Sequence, residues 1–546
     1  MTPITAFALL SLVVAGLYKL YRRSTRTSVA HIAGPEPESF VLGNLSQLAH
    51  GQAAEVELQW LAQYGDVVRI KGLFGEDRLL ISDPKALQYI FQTSGYNFIK
   101  QPARRELSRI TTGKGLLWAE GDDHKRLRKV MLPGFSGPEA KGYLPVFSAY
   151  AAKVAEGWRD ILASSGAQSS VVDIPAWISR CALDAIGEVA FDYQFGTLES
   201  VDNPLGKAFA NLLLDTFGTL TDGEIFSQNF LGYIPDRISQ LLGDYMPSKK
   251  LTHARSTAKL ATGVAKELVA QKSAASLQGK GNRDIMSLLV KAYVSENERV
   301  KLNEEEMFSL MRVVILAGHE TTANTFSWML LELARRPEVQ KRLRDEIGQM
   351  ERTVQSRGNS GYTVSDLDSM PYLNAVLKET LRFHPVAINT FREAVRDDVL
   401  PLSKPIVTTS GEVVSEIPIP KGLGVMTSIH GYNRNKDIFG EDAHLFNPER
   451  WLNGTVKKSI SVGVLGNLMT FSGGVRSCIG WKFAVVELQA FMFELIGAFE
   501  FLPTPESQKI RKEPALVMVP TIEGQVDKGA QLPLRIQVAS KDEGTF

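Results

Sequence analysis

The stretch from Asn303 to Arg336 constrains this chain more than any other. Asn303 and Glu306 make a capping-box start, and Glu304 and Glu305 suit the positive end of a helix. The helical pattern then runs to Pro337, which stops it. This predicts a helix of roughly 33 residues, about 50 Å long, enough to cross a whole domain. Val313 to Leu316 and Met329 to Leu331 are too apolar for an exposed face. Between them sits Ala317-Gly318-His319-Glu320-Thr321-Thr322, a polar insertion in an apolar helix. A mid-helix glycine costs about 1 kcal/mol against alanine, so it calls for a reason. The expected reason is that Ala317 and Gly318 leave room for a small ligand, with the two threonines bending the helix there.

Further helices are expected at about Tyr143 to Ala163, Pro175 to Ala190 and Leu251 to Ala275. Val67 to Ile70 and Arg78 to Ile81 read as an antiparallel strand pair, and Ala515 to Val519 and Leu532 to Val538 as strands. The fold class is mainly α with small β-sheets. In 546 residues, 44% hydrophobic and 22% charged with net charge +1, the composition is that of a globular enzyme rather than a nucleic-acid-binding chain. There is no linker and no repeat, so residues 32–546 read as one catalytic domain behind an N-terminal segment, 1–31.

That segment carries an uncharged apolar run, Ile4 to Tyr18, followed by Lys19, Arg22, Arg23 and Arg26. With Lys19 snorkelling, the run nears the lower limit of the roughly 17–25 residues that cross a bilayer. A cleaved signal peptide would carry its charge before the run, not after it. The expectation is a single-pass membrane anchor helix with the domain on the cytoplasmic side. Ile32-Ala-Gly34-Pro35-Glu-Pro37 then reads as a stiff hinge.

Only two cysteines exist, Cys181 and Cys478, which excludes a disulfide framework. Cys181 lies in an amphipathic helical pattern and reads as a small buried apolar residue. Cys478 is different. It sits in Phe471-Ser-Gly-Gly474-Val-Arg476-Ser-Cys478-Ile-Gly480, just before a helix starting near Trp481. A following helix N-terminus favours a thiolate, and the glycines would let backbone approach a flat macrocycle and point N–H groups at the sulfur. The chemistry suggested is a thiolate axial ligand to haem iron, with Arg476 reaching a haem propionate. The bland alternative is an inert cysteine in a glycine-rich turn.

The run resembles the haem-binding signature of the cytochrome P-450 family, in which Phe, Gly, Arg, Cys and Gly recur at this spacing. The resemblance extends from the proline-rich hinge to the C-terminal strands. It implies haem b held by Cys478, with Phe471, Gly480, Ala317 and Gly318 around it. The hexapeptide resembles the family's oxygen-activation motif, making Thr321 the catalytic alcohol and Glu320 the acid that relays protons from solvent. Thr322 is structural, and His319 a helix-face residue rather than a second ligand. Lys378-Glu379-Thr-Leu-Arg382 and Phe446-Asn-Pro448-Glu449-Arg450-Trp451 resemble the motifs whose Glu and two Arg form a buried network fixing the cysteine loop. Glu379, Arg382 and Arg450 take those positions. His124 and Arg128, four apart on one helix face, resemble a propionate-binding pair in which His replaces the usual Trp, which makes that contact pH-sensitive. Arg392 matches another propionate-binding position. Lys125, Arg126 and Lys129 read equally well as a solvated stripe or as a docking site for an acidic reductase.

The resemblance implies a membrane-anchored haem-thiolate monooxygenase of the endoplasmic reticulum. Its electrons come from NADPH through a separate flavin-bearing cytochrome P-450 reductase, with cytochrome b5 as an optional second donor. The expected pocket walls are Leu107 to Leu117, Phe209 to Phe230, Val313 to Thr321, Val386 to Thr390 and the turn Gly524 to Gly529. They are rich in apolar residues, so the substrate is a hydrophobic small molecule. The haem loop and Ala190 to Gly196 resemble fungal members in specialised metabolism, which puts terpenoids first, then fatty acids and xenobiotics. The rival activity is a haem-thiolate isomerase or dehydratase, whose members tend to lack the acid–alcohol pair.

Overall fold

The computed structural model describes residues 28–277, 285–358, 361–457 and 460–540. The expected anchor run, 4–18, lies outside the described residues. Among the described residues no helix is long and apolar enough to cross a membrane. Val29 and Ile32 are already buried in the main core, so the packed domain includes residues from 29 onward.

Nine helices position the site: α1 Pro102–Thr112, α2 Gly121–Met131, α3 Leu144–Ser165, α4 Ile174–Phe191, α5 Leu212–Phe217, α6 Lys249–Leu277, α7 Glu304–Ala334, α8 Pro371–Phe383 and α9 Trp481–Phe491. The strands are β1 Val67–Lys71, β2 Asp77–Ile81, β3 Phe98–Lys100, β4 Ser169–Asp173, β5 Asn389–Ala394, β6 Asp398–Val407, β7 Val413–Ile419, β8 Gly424–Ser428, β9 Phe499–Leu502, β10 Ile510–Ala515, β11 Val517–Ile522 and β12 Pro533–Val538. They form a five-stranded sheet in the order β1-β2-β8-β5-β3, a three-stranded sheet β4-β12-β9, and the hairpins β6-β7 and β10-β11. The expected antiparallel pair is β1 and β2, with Val67 opposite Ile81.

The long helix is α7, and its start is the expected one. Asn303 Oδ1 accepts the Glu306 N–H at 2.9 Å, and Glu306 Oε2 accepts the Asn303 N–H at 3.1 Å. From Met307 to Ala334 only Arg312, Ala317, Gly318 and Thr321 are not buried. Such a helix is held by packing on every side rather than by an amphipathic face. Trp328 Nε1 donates to the Met518 carbonyl at 3.1 Å and ties α7 to β11. The helix stays helical through the threonine pair, without an interruption.

Two expectations change here. A Cβ on Gly318 would come within 2.7 Å of Ile186 Cγ1 on α4. The glycine is therefore explained by the close approach of two helices, not by room for a ligand. The run Ala515 to Val519 is not one strand: Ala515 pairs with Val517 across a tight turn at Leu516, whose φ is +69°. Leu516 carries no glycine-type turn signal, so the hairpin was not legible.

Candidate active site

The cysteine loop is a tight return before α9. The Cys478 N–H donates to the Phe471 carbonyl at 2.8 Å, which closes the loop on itself. A Cβ on Gly473 would meet the Val462 carbonyl oxygen at 2.1 Å. One on Gly474, at φ +63°, would meet the Phe91 carbonyl oxygen at 1.8 Å. These glycines are required by neighbouring backbone, not by a macrocycle. Gly480 meets only the Phe135 ring, at 3.7 Å, and its N–H points at the Cys478 sulfur. Arg128 Nη1 donates to the Ser477 carbonyl at 2.8 Å and Nη2 to Ser477 Oγ at 3.2 Å, so α2 clamps the residue before the cysteine. Burial pushes the thiol pKa up, while the Gly480 N–H and the Arg128 charge act against it. Cys478 is nonetheless exposed by area. Dense enclosure and open surface agree if the sulfur faces an internal void.

α7 also has an open face. Ala317 is exposed and Thr321, one turn on, is partly so, in the middle of an otherwise buried helix. Thr321 Oγ1 donates to the Ala317 carbonyl at 2.8 Å, a back-bond that holds the hydroxyl against the helix. Glu320 turns the other way, toward α5. Its Oε1 accepts the Leu213 N–H at 3.4 Å, and its buried Oε2 has no partner among the described residues. Burial, with Asp215 adding repulsion, raises its pKa to about 8, so the carboxyl holds its proton at neutral pH. His319 is buried with Nδ1 at 2.9 Å from the Ile315 carbonyl, as expected of a packing residue.

The expected propionate-binding residues are brought together, with one addition that the sequence did not single out. His124, Arg128, Arg392 and Arg476 share an electrostatic neighbourhood with Lys100 of β3 and Glu120. Arg476 reaches the Gly95 carbonyl and Glu120, and its Nε is buried without a partner. Lys100 Nζ lies 3.9 Å from Glu120 Oε1. The hydrogen-bonding of the buried Arg392 side chain is one bond to its neighbouring Phe391 carbonyl, at 3.2 Å. Three cations, Lys100, Arg392 and Arg476, thus share the Glu120 carboxylate among the described residues, with Arg128 close to His124. Burial and mutual repulsion pull Lys100 down to about 7 and Arg392 to about 10. The same causes hold His124 near 4 and neutral, with Tyr96 Oη at 3.0 Å from its Nδ1, so its expected pH sensitivity is displaced well below neutrality. This excess of buried positive charge fits a group bearing two carboxylates, as haem does.

The structural triad assembles as expected. Glu379 accepts from Arg382 Nε at 2.9 Å and Nη2 at 2.7 Å, Arg450 Nε at 3.1 Å, Trp451 Nε1 at 2.9 Å and the Asn447 N–H at 2.7 Å. Arg382 Nη1 donates to the Asn433 carbonyl at 2.9 Å. The Asn433 side chain in turn accepts from the Met469 N–H and donates to Thr470 Oγ1, both at 2.9 Å, two residues or fewer from Phe471. The triad therefore grips the start of the cysteine loop. Lys125 and Lys129 are exposed, but Arg126 pairs with Glu306 and cross-links α2 to the start of α7. It is a poor candidate for docking.

Two further features were missed. Glu487 on α9 is fully buried beside Thr322, and burial raises its pKa to about 8. In a helical pattern it looks like an ordinary surface carboxylate. A cavity of about 320 Å³ lined by His50, Leu220, Arg511, Thr521 and Val526 takes up part of the expected turn wall, but no residue of the cysteine loop or of the Ala317 face. Val517 bridges Ala387 within the expected Val386 to Thr390 lining.

A family model described as "Cytochrome P450" matches residues 33–527. The chain is 33% identical to "Cytochrome P450 monooxygenase 205" of Postia placenta, over 93% of this chain and 92% of that protein. It is 33% identical to "Cytochrome P450 monooxygenase claO" of Ampulloclitocybe clavipes, over 94% of each, and 31% identical to claP of the same fungus, over 98% and 99%.

Proposed function

The chain belongs to the cytochrome P450 family, and from that premise we propose that it is a haem-thiolate monooxygenase, with Cys478 as ligand, that oxidises an apolar small molecule, terpenoids first. The family holds haem iron through a cysteine thiolate and takes electrons from an external reductase. One observation carries the reading: an open cysteine lies beside a cluster of under-compensated cations, and the otherwise buried α7 opens at Ala317 and Thr321.

When bound, haem supplies the oxygen-activating chemistry. The chain's own residues do the rest. Gly480 N–H and Arg128 favour the charged form of the Cys478 sulfur. Arg392, Arg476, Arg128, Lys100 and the neutral His124 supply donors for two carboxylates. Ala317 keeps the face clear, and Thr321 Oγ1 presents a hydroxyl there. Glu320 holds a proton near neutral pH on a carboxyl with one unpartnered oxygen, the property a proton donor behind Thr321 needs.

We further propose an N-terminal anchor segment ahead of a catalytic domain whose packed part already includes Val29, single-pass insertion of residues 4–18 in the endoplasmic reticulum membrane, and NADPH-cytochrome P450 reductase as partner. The apolar run followed by Lys19, Arg22, Arg23 and Arg26 supports the first two. The test uses membranes carrying the protein and a matched reductase, with NADPH and isotopically heavy dioxygen, on a panel of sesquiterpenes, triterpenes and fatty acids. One heavy oxygen in a terpene product is the expected result. Rearranged products without heavy oxygen and independent of NADPH would replace it with the isomerase reading.

A further inference from the structure

We propose that Asp215 and His253 pass protons from solvent to Glu320, so that α5 and α6 hold the outer end of the relay that serves Thr321. The inference rests on the monooxygenase reading for the use of the protons, and on the contacts of α5, α6 and α7 for their route.

α5 is buried at Leu212, Leu213, Leu214, Thr216 and Phe217, and Asp215 is its one exposed residue. An otherwise apolar helix thus carries a single carboxylate to the surface. The first turn of the same helix meets the buried acid of α7, where the Leu213 N–H donates to Glu320 Oε1 at 3.4 Å. Asp215 lies two residues on. Helical side chains lean toward the N-terminus of their helix, so the Asp215 carboxylate leans back toward that contact. Its negative charge reaches Glu320 and opposes ionisation there, which helps burial to keep the Glu320 proton in place.

α6 supplies the next group outward. His253 Nε2 lies 3.6 Å from Asp215 Oδ2, and the two side chains are 36% and 51% exposed. Lys250, one turn earlier on α6, does not compete for Asp215. It is committed to the Gly218 and Thr219 carbonyls, at 2.9 and 3.1 Å, and to Glu224 at 3.1 Å. As a half-exposed ion pair, Asp215 and His253 would add little to stability. An imidazole beside a carboxylate can, however, both take up and hand on a proton near neutral pH.

The inner step has its own marks. Glu320 Oε2 and Thr216 Oγ1 are buried and have no partner among the described residues. Thr216 stands one turn from Leu213, whose N–H holds the other Glu320 oxygen. Ordered water serves buried polar atoms of this kind, and it would join Asp215 to Glu320 through hydrogen bonds. The balance is simple. Glu320 gives its carboxyl proton to the Thr321 face, Asp215 replaces it through that water, and His253 restores Asp215 with a proton taken from solvent. One proton moves inward per passage, only O–H and N–H bonds change, and no electron is transferred.

The test follows the haem-loaded, resting protein on transfer from light to heavy water. The carboxyl C=O stretch of a protonated acid shifts in the infrared when its O–H becomes O–D. Glu320→Gln identifies the Glu320 band, and Glu487→Gln that of the other buried acid. Asp215→Asn and His253→Gln should each slow exchange at Glu320 by about tenfold or more and leave Glu487 unchanged. Asp215→Glu should keep the native rate, because it restores a carboxylate but not the original packing. Native exchange in Asp215→Asn or His253→Gln, equal slowing in Asp215→Glu and Asp215→Asn, or the absence of an exchangeable Glu320 band overturns the proposal. No turnover is involved, so a slowed exchange in a protein that inserts no oxygen into any substrate would sink the monooxygenase reading and leave this route standing.

Discussion

Glu379→Gln tests whether the cysteine loop is held by a buried charge network. Glu379 and Arg382 are fully buried and Arg450 is 1% exposed, so solvent screens none of the three. The substitution leaves Arg382 with three carbonyl partners, Asn433, Ala443 and Leu445, and no carboxylate. Arg450 keeps Asp442, at 2.7 Å. Of the five groups that donate to Glu379, an amide oxygen can serve about two, and the amide NH2 faces the others as donor against donor. Removing one partner of a buried pair costs about 3–5 kcal/mol, here through Arg382, the one guanidinium left without a carboxylate. An internal control sits beside it. Glu449 pairs with Arg342, with side chains 46% and 52% exposed, and an exposed pair contributes about 0–1 kcal/mol. Urea unfolding should therefore separate Glu379→Gln from Glu449→Gln by about 3 kcal/mol, with haem occupancy falling only in the first. Equal midpoints for the two variants would refute the argument that this network, acting through Asn433, holds the loop.

Cys478→Ser should abolish the thiolate-type spectrum of the reduced carbon monoxide complex, and its persistence would remove Cys478 as ligand. Thr321→Ala deletes the one hydroxyl on the open face of α7 and should divert NADPH electrons to hydrogen peroxide while substrate affinity holds; unchanged coupling to product would end its catalytic role. Glu487 has a folded pKa near 8 against an ordinary value of 4.5, so the native chain keeps a proton that the unfolded chain releases. Stability should then fall as pH rises through that window, and Glu487→Gln should remove up to about 3 kcal/mol of the loss between about pH 5 and pH 7. A pH–stability curve identical in the two proteins would show that Glu487 is not held protonated.

What was legible in the chain was what short-range chemistry dictates. The cap at Asn303, the stop at Pro337, the cysteine loop and the Glu379–Arg382 spacing are each written within a few residues, and the fold keeps them all. What was not legible depends on close approach between distant segments. The reason for Gly474 is the Phe91 carbonyl, and the reason for Gly318 is Ile186. The chain near those glycines carries no trace of either neighbour. The turn at Leu516 is held by its pairing in the hairpin and at Ala387, against its own propensity.

Charge shows the same limit most clearly. Read singly, Lys100, Arg392 and Arg476 are unremarkable cations in a chain whose net charge is +1. Global neutrality hides where the imbalance lies. Folding gathers Lys100, Arg392 and Arg476 around Glu120 and sets Arg128 beside Cys478. A chain that could balance these charges with its own carboxylates would gain stability, since each uncompensated buried cation raises the energy of the folded state. That excess suits a group with two carboxylates. The local charge balance, rather than the shape of the apolar walls, is therefore the sharpest structural statement about what this interior binds.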